Sequence, residues 1–152
     1  MRGTMRLAND AWEALLSAHA VLLKEFLAEG VWGEISMREY DVLYTVAKAD
    51  VPIRIGDLQG HVLLSQPALS RLVDRLAGRG LVQRQPDPSD ARVVLISLTD
   101  RGREAQRAVG RRHARHVAAA MTGRLDVIAL EDLERLCGRL AGHRPDPENG
   151  AS

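Results

Sequence analysis

Residues 62–104 contain helix and strand signals in an order that few folds share. Ser65 is a favourable N-cap and Pro67 is tolerated only in the first turn of a helix, so a helix is predicted over residues 65–79. Gly80 can adopt the left-handed conformation in which many helices end. The 3.6-residue period predicts a buried face formed by Leu69, Leu72, Val73 and Leu76. The opposite face, left for solvent or a partner, carries Gln66, Ser70, Arg71, Arg75 and Arg79.

Two short apolar runs follow this helix. Residues 81–85 and 92–98 predict a two-stranded β-ribbon, and the turn-forming residues 86–90 predict its tip. Thr99 is the predicted cap of a fifth helix that extends to about residue 121. A short helix with a polar, arginine-bearing face beside an arginine-tipped hairpin has a shape that fits duplex DNA.

The rest of the chain predicts further helices around this segment. An amphipathic helix over residues 5–29 ends at a glycine-containing break, and a capping box that starts at Ser36 begins a second helix, which extends to about residue 49. A short third helix is predicted over residues 55–62 and a last helix over residues 130–141. Residues 143–152 are expected to be a disordered tail.

This order predicts a mainly α fold with a small β-ribbon, a winged helix-turn-helix with N- and C-terminal dimerisation helices. We expect one domain over residues 1–152, with the winged lobe at residues 36–99 and dimerisation helices at residues 5–30 and 100–142. The terminal helices carry apolar stripes that a monomer would leave partly exposed, so a symmetric dimer is expected. Such a dimer would present two recognition helices ~34–36 Å apart, matching a palindromic DNA site.

Charge is distributed unevenly along the chain. Residues 1–60 carry a net charge of −3, residues 61–112 a net charge of +5 and residues 113–152 a net charge of −1. An interior block of positive charge is typical of a phosphate-binding surface. Acidic residues near the N-terminus argue against a signal peptide and no apolar run is long enough to span a membrane, so a cytoplasmic protein is expected.

The segment from Leu81 to Gly102 follows the pattern L-V-x-R-x-x-D-P-x-D-x-R-x-x-x-I-x-L-T-x-x-G. With the preceding SQPALSRLVDRLAGRG, it resembles the MarR (multiple antibiotic resistance regulator) family of transcription factors, and the resemblance covers residues 5–142. It implies that residues 65–79 are the recognition helix, that residues 55–61 support it and that residues 86–91 form the tip of the wing. It further implies that Asp90 steadies the wing and that Arg92 enters the minor groove. Ala91 departs from the family, in which this position is often basic.

The resemblance and the side-chain chemistry together predict the DNA contacts. Arginine can bind guanine and glutamine can bind adenine in the major groove, so the exposed N-terminal part of the helix is expected to contact bases. Arg75 and Arg84 are better placed for phosphates. An alternative is that some arginines form surface ion pairs, for instance Arg71 or Arg75 with Asp74 or Asp87. The predicted DNA-binding residues are Ser65, Gln66, Pro67, Ser70, Arg71, Arg75, Arg84, Asp90 and Arg92.

Other candidate sites receive less support from the sequence. The resemblance implies a pocket for a small aromatic or phenolic effector, for which the candidates are Trp12, His19, Tyr40, Tyr44 and Arg54; Trp12 and Tyr44 can equally be core aromatics. His113 and His116 have metal-ligand spacing but no third ligand, so they are interpreted as solvated or interface histidines. Cys137 is interpreted as a small buried hydrophobe. No catalytic motif is present, so neither an enzyme nor a cofactor is predicted.

The sequence thus predicts a homodimeric regulator that binds a pseudo-palindromic duplex operator, most simply a repressor that a small effector releases. The alternative is a ligand-sensing or protein-interaction module that keeps the winged fold without reading DNA specifically.

Overall fold

The structure, a computed structural model, describes residues 2–142 and divides the chain into two compact units, Met1–Ala114 and Arg115–Ser152. The helices and strands, in chain order, are α1 (Arg2–Leu27), α2 (Met37–Ala49), β1 (Ile53–Arg54), α3 (Ile55–Gln59), α4 (Gln66–Gly78), β2 (Val82–Asp87), β3 (Asp90–Leu98), α5 (Asp100–Thr122) and α6 (Val127–Leu140). The predicted tail, residues 143–152, lies outside the described residues. Within residues 2–142, no helix combines the length and apolar character needed to cross a membrane.

The first unit contains a winged helix-turn-helix lobe, as predicted. Its core is formed by α2, α3, α4 and the base of the sheet, which contribute the largest fully buried side chains: Val42, Leu43, Leu58, Leu69, Val73, Leu76 and Ile96. Aliphatic side chains dominate because the chain has few aromatic residues. This core fixes α4 with its polar face directed outward.

Local capping explains where the two central helices begin and end. The Ser36 hydroxyl accepts a hydrogen bond from the Glu39 amide, and the Glu39 carboxylate accepts one from the Ser36 amide, which completes the predicted capping box of α2. The Ser65 hydroxyl caps α4 through the Ala68 amide. Gly80 has φ of +68°, and the Leu81 amide donates to the Leu76 carbonyl, so α4 ends in the predicted left-handed cap.

The sheet differs from the predicted two-stranded ribbon in two ways. It has three antiparallel strands in the order β1-β3-β2, because Ile53 and Arg54 pair with Ile96 and Leu95. The wing tip is also shorter than the predicted residues 86–90, since β2 continues to Asp87 and β3 begins at Asp90. Proline is tolerated at position 86 because an edge strand does not require every amide to donate to a neighbour.

The junction of α4, β2 and α5 depends on close backbone contact. The Thr99 hydroxyl donates to the Gly80 carbonyl at 2.6 Å and accepts from the Gly102 amide at 3.0 Å. A Cβ atom at Gly102 would overlap the Leu81 carbonyl oxygen and lie 2.9 Å from its carbonyl carbon. The threonine and glycine of the L-T-x-x-G segment therefore hold the start of α5 against the end of the recognition helix.

The second unit contains the end of α5 and all of α6. Asp126 caps α6 by accepting a hydrogen bond from the Ala129 amide, so the helix begins at Val127 and not near the predicted residue 130. Cys137 is half-buried, which makes it less enclosed than expected. Large apolar side chains of α6 are exposed, namely Val127, Ile128, Leu136 and Leu140; in the first unit, α1 likewise exposes Met5, Leu7, Trp12, Leu16 and Val21.

Candidate nucleic-acid interface

The outward face of α4 carries a row of polar side chains, and most of them are exposed to solvent. Gln66, Arg71 and Arg75 are exposed and Ser70 is half-buried. Among the described residues, neither Arg71 nor Arg75 forms an ion pair. The two carboxylates considered as their partners pair with other arginines: Asp74 pairs with Arg84 and Asp87 pairs with Arg54. The surface ion pairs considered for Arg71 and Arg75 are therefore not formed, and both guanidinium groups are available to a ligand.

Arg84, the predicted phosphate contact on β2, is engaged within the protein. Its Nη2 atom lies 2.7 Å from Oδ1 of Asp74 on α4, with side chains that are 36% and 56% exposed. An exposed pair of this kind contributes at most about 1 kcal/mol. Arg84 can consequently exchange the carboxylate for a DNA phosphate at low cost, and Asp74 competes with that exchange.

The wing turn is organised by Asp87, which was not among the predicted DNA-binding residues. Its Oδ1 accepts hydrogen bonds from the Ser89 amide at 2.8 Å and the Ser89 hydroxyl at 2.6 Å. Its Oδ2 accepts one from Nη2 of Arg54 at 3.0 Å. The hydrogen bonds from Ser89, and then Arg54, lower the pKa of Asp87 from 3.8 to about 2.

Asp90 and Arg92 occupy the start of β3. The Asp90 carboxylate accepts a hydrogen bond from the Arg92 amide at 3.0 Å, which fixes the backbone at the residue expected to enter the minor groove. Arg92 is exposed, and among the described residues its guanidinium forms no ion pair. Arg92 thus lies in β3 just after the wing turn, and aspartates accept hydrogen bonds from the backbone amides of both Ser89 and Arg92.

Arg79 was placed on the face of the recognition helix left for solvent or a partner, but its guanidinium is bound within the protein. Its Nη1 atom binds Oε1 of Glu39 at 3.0 Å, and its Nη2 atom donates to the Glu34 carbonyl at 2.8 Å. Arg101 in turn donates to the Arg79 carbonyl at 3.1 Å. Arg79 therefore links the end of α4 to the start of α2, and its guanidinium is committed to the protein.

The candidate effector residues are only partly brought together. The rings of Tyr40 and Tyr44 lie 5.9 Å apart, whereas Trp12 and His19 are exposed on α1. Arg54, the fifth candidate, forms an ion pair with Asp87 of the wing, and within residues 2–142 it forms no hydrogen bond or ion pair with the other candidates. Sequence reasoning missed the residues that do contact Tyr40, which are Trp32, Gln106 and His113. Trp32, which lies in the glycine-containing segment after α1, was the sequence feature that could have indicated this aromatic group.

His113 lies at the centre of this aromatic group. Its ring is 5.2 Å from Phe26, 4.8 Å from Trp32 and 5.7 Å from Tyr40, and Nδ1 is 3.0 Å from the Glu29 carboxylate. His113 was interpreted as a solvated or an interface histidine, and this packing contradicts the first of these interpretations. Burial raises the pKa of Tyr40, and hydrogen bonding to Gln106 opposes that rise. Within residues 2–142, no three His, Cys, Asp or Glu side chains are grouped so as to hold a metal ion.

Comparison with known proteins gives consistent matches to one family. Residues 35–94, which include α2, the helix-turn-helix and most of the wing, match the family model described as MarR family. The chain is 32% identical over 107 residues to the uncharacterized HTH-type transcriptional regulator YhbI of Bacillus subtilis, covering 70% of this chain and 68% of that protein. Two other relatives are matched over only 42% and 43% of their own length, so the chain spans less than half of those proteins.

Solved structures share the fold over most of the chain. Sco3205, a MarR family transcriptional regulator from Streptomyces coelicolor solved in complex with DNA, is 26% identical with a TM-score of 0.74, over 93% of this chain and 90% of that one. The PcaV transcriptional regulator from the same organism, solved with its natural ligand, is 27% identical with a TM-score of 0.65, over 87% of this chain and 89% of that one.

Proposed function

The chain belongs to the MarR family of transcriptional regulators, and on this premise we propose that it is a homodimeric, sequence-specific DNA-binding repressor that a small-molecule effector releases. It acts in the cytoplasm and without catalysis. One observation carries the proposal. The exposed face of α4 and the wing tip present three arginines, Arg71, Arg75 and Arg92, that form no ion pair among the described residues.

The two arginine-bearing elements suit the two grooves of B-DNA. An α-helix fits the major groove, where Gln66, Ser70 and Arg71 on the first turns of α4 can reach base edges. A narrow A·T-rich minor groove attracts arginine, which is the role proposed for Arg92. Arg75 and Arg84 contact phosphates, which set register and affinity without reading sequence. Ser65 and Pro67 fix the first turn of α4, and Asp90 fixes the backbone of Arg92.

Two copies of this interface are needed to read a pseudo-palindromic operator. The apolar side chains exposed on α1 and on α6 are the surfaces that a second copy covers. The half-sites of such an operator lie one DNA turn apart, ~34–36 Å. This matches the assembly expected from the terminal helices.

The aromatic group around Tyr40 supports effector binding. Tyr44 is 47% exposed and contacts Tyr40, which in turn contacts Trp32 and His113. An aromatic anion that stacks on Tyr44 would therefore act on the packing between α2 and α5. The effector shifts the population of dimers away from the spacing that fits the operator. Arg54 is left out of the proposed effector site, because its guanidinium binds Asp87.

Fluorescence anisotropy tests the proposal. The protein is titrated against the intergenic duplex beside its own gene and against a scrambled duplex, at two salt concentrations. We expect tight, salt-dependent binding that prefers the intergenic duplex, because phosphate contacts release counterions. Arg71→Ala is expected to lose about 1–3 kcal/mol on the intergenic duplex and much less on the scrambled one.

Arg111→Ala is the control, since Arg111 is an exposed arginine of α5 that lies outside α4 and the wing. Equal losses of Arg71→Ala on the two duplexes would contradict base reading by Arg71. Weak binding by the wild type, equal on both duplexes and insensitive to salt, would favour a winged module that does not read DNA.

A further inference from the structure

Among the described residues, two ion pairs attach the wing to the helix-turn-helix, and we propose that Arg54 and Asp87 are positioning residues that set where the wing holds Arg92. We name the Arg54–Asp87 interaction the cross-sheet ion pair. The inference rests on the DNA-binding function proposed above. It assigns a role to an arginine that sequence reasoning placed in an effector pocket.

Both carboxylate oxygens of Asp87 are in use. Oδ1 closes the wing turn through Ser89, and Oδ2 binds Nη2 of Arg54 at 3.0 Å. The Asp87 side chain is only 11% exposed, although it lies one residue from the turn of a hairpin. One carboxylate therefore shapes the tip and joins it to another strand, so the tip cannot move away from β1 without losing a charged hydrogen bond.

The strand order determines which strands this contact connects. β3 lies between β1 and β2, and Arg54 pairs with Leu95 of β3 while Asp87 ends β2. The cross-sheet ion pair consequently spans the central strand and connects the two outer strands. Arg54 also occupies the N-cap position of α3, the first helix of the helix-turn-helix. The wing tip is thus connected directly to the start of α3.

A second ion pair, Arg84 with Asp74, connects β2 to the recognition helix. The two contacts differ in what DNA can do to them. Arg84 can leave Asp74 for a phosphate, whereas Arg54 holds a carboxylate that Ser89 already orients. The cross-sheet ion pair is therefore the contact that keeps the tip in place while Arg84 changes partner.

Charge effects and positioning effects can be separated because the two residues have opposite charges. Arg54→Gln removes a positive charge and Asp87→Asn removes a negative one. If the pair acted only through the local potential, the first change would weaken DNA binding and the second would strengthen it. If the pair positions the tip, both changes weaken the selection of minor-groove sequence that Arg92 performs.

The experiment uses a duplex consensus selected by the wild-type protein from a random-sequence library, and the same duplex with its A·T flanks changed to G·C. Anisotropy gives the ratio of the two dissociation constants for each variant. We expect Arg54→Gln and Asp87→Asn each to reduce the wild-type flank preference by about two- to fivefold. The double variant should be no worse than either single variant, as coupled residues are not additive. Arg111→Gln and Asp132→Asn make the same charge changes elsewhere and should preserve the preference.

Amide hydrogen exchange in the free protein provides a readout without DNA. Faster exchange of the β3 amides at residues 92–95 in both variants, with a melting temperature lowered by no more than about 4 °C, is the expected result. Shifts of flank preference in opposite directions, or wild-type flank preference together with wild-type exchange, would overturn the inference. If the wild type selects no consensus, the proposed function fails, and the exchange measurement alone then decides whether the cross-sheet ion pair holds the wing.

Discussion

At the scale of single residues, the glycine of the L-T-x-x-G segment has a steric function. A Cβ atom at position 102 would overlap the Leu81 carbonyl oxygen, a backbone atom that cannot move without shifting the start of β2. We expect Gly102→Ala to lower the free energy of unfolding by about 1–3 kcal/mol, as overpacking does elsewhere. Urea denaturation measures this change.

Gly138→Ala on α6 is the matched control for Gly102→Ala, because nothing lies within 4 Å of a Cβ atom there. Its expected effect is a gain of up to about 1 kcal/mol from helix propensity. Equal changes in the free energy of unfolding of the two variants would contradict the close contact at Leu81.

Asp87 is the residue at which the wing responds to pH. Its pKa is lowered to about 2, so the hydrogen bonds that it accepts stabilise the wing turn fully above pH 3.8 and are lost as the pH falls through about 2. Since Ser89 is the largest cause, Ser89→Ala should raise the pKa of Asp87 more than Arg54→Gln does. Carboxyl ¹³C chemical shifts followed from pH 6 to pH 1.5 report this order, and the reverse order would place the main stabilisation with Arg54.

At the scale of elements, the recognition helix carries an acidic residue that limits its own affinity for DNA. Asp74 holds Arg84 at 2.7 Å, in competition with phosphate. We expect Asp74→Asn to tighten binding to specific and scrambled duplexes alike by up to about fivefold, because Arg84 no longer has to leave a carboxylate before it contacts a phosphate. Fluorescence anisotropy on both duplexes measures this change.

Asp132→Asn is the control for Asp74→Asn, because it disrupts the exposed Arg135–Asp132 pair of α6 and makes the same change of net charge. Tighter binding of Asp132→Asn by the same factor would show that net charge alone is responsible. Tighter binding of Asp74→Asn on the specific duplex only would also contradict the competition.

The elements themselves were predictable where their signals are local. Ser36, Ser65 and Gly80 mark helix ends within a few residues, so α2 and α4 were predicted to within a residue or two. The two-residue strand β1 was missed because it exists only through pairing with β3. Contacts between distant residues were also missed: Arg79 binds Glu39 across 40 positions and Arg54 binds Asp87 across 33. A surface arginine has many acidic residues within reach, and the fold alone decides which one it meets.

At the scale of the whole molecule, the exposed apolar side chains of α1 and α6 account for the proposed dimer. Leu136 and Leu140 are 47% and 77% exposed on α6, within the second unit. We expect Leu136→Ser/Leu140→Ser to weaken self-association by about 100-fold or more, since burial of a leucine contributes ~1.5–3 kcal/mol. Light scattering should then report a mass near 16.7 kDa at concentrations where the wild type gives about twice that value.

Loss of the dimer should also reduce operator affinity, because one recognition helix per molecule cannot engage both half-sites at once. Val51→Ser is the control, since it removes an exposed apolar side chain, 63% exposed, from the first unit without touching either terminal helix. Circular dichroism of the double variant separates dissociation from unfolding. A double variant that remains dimeric, with wild-type helicity and operator affinity, would show that α6 does not form the dimer contact. The apolar face of α1 would then be the remaining candidate.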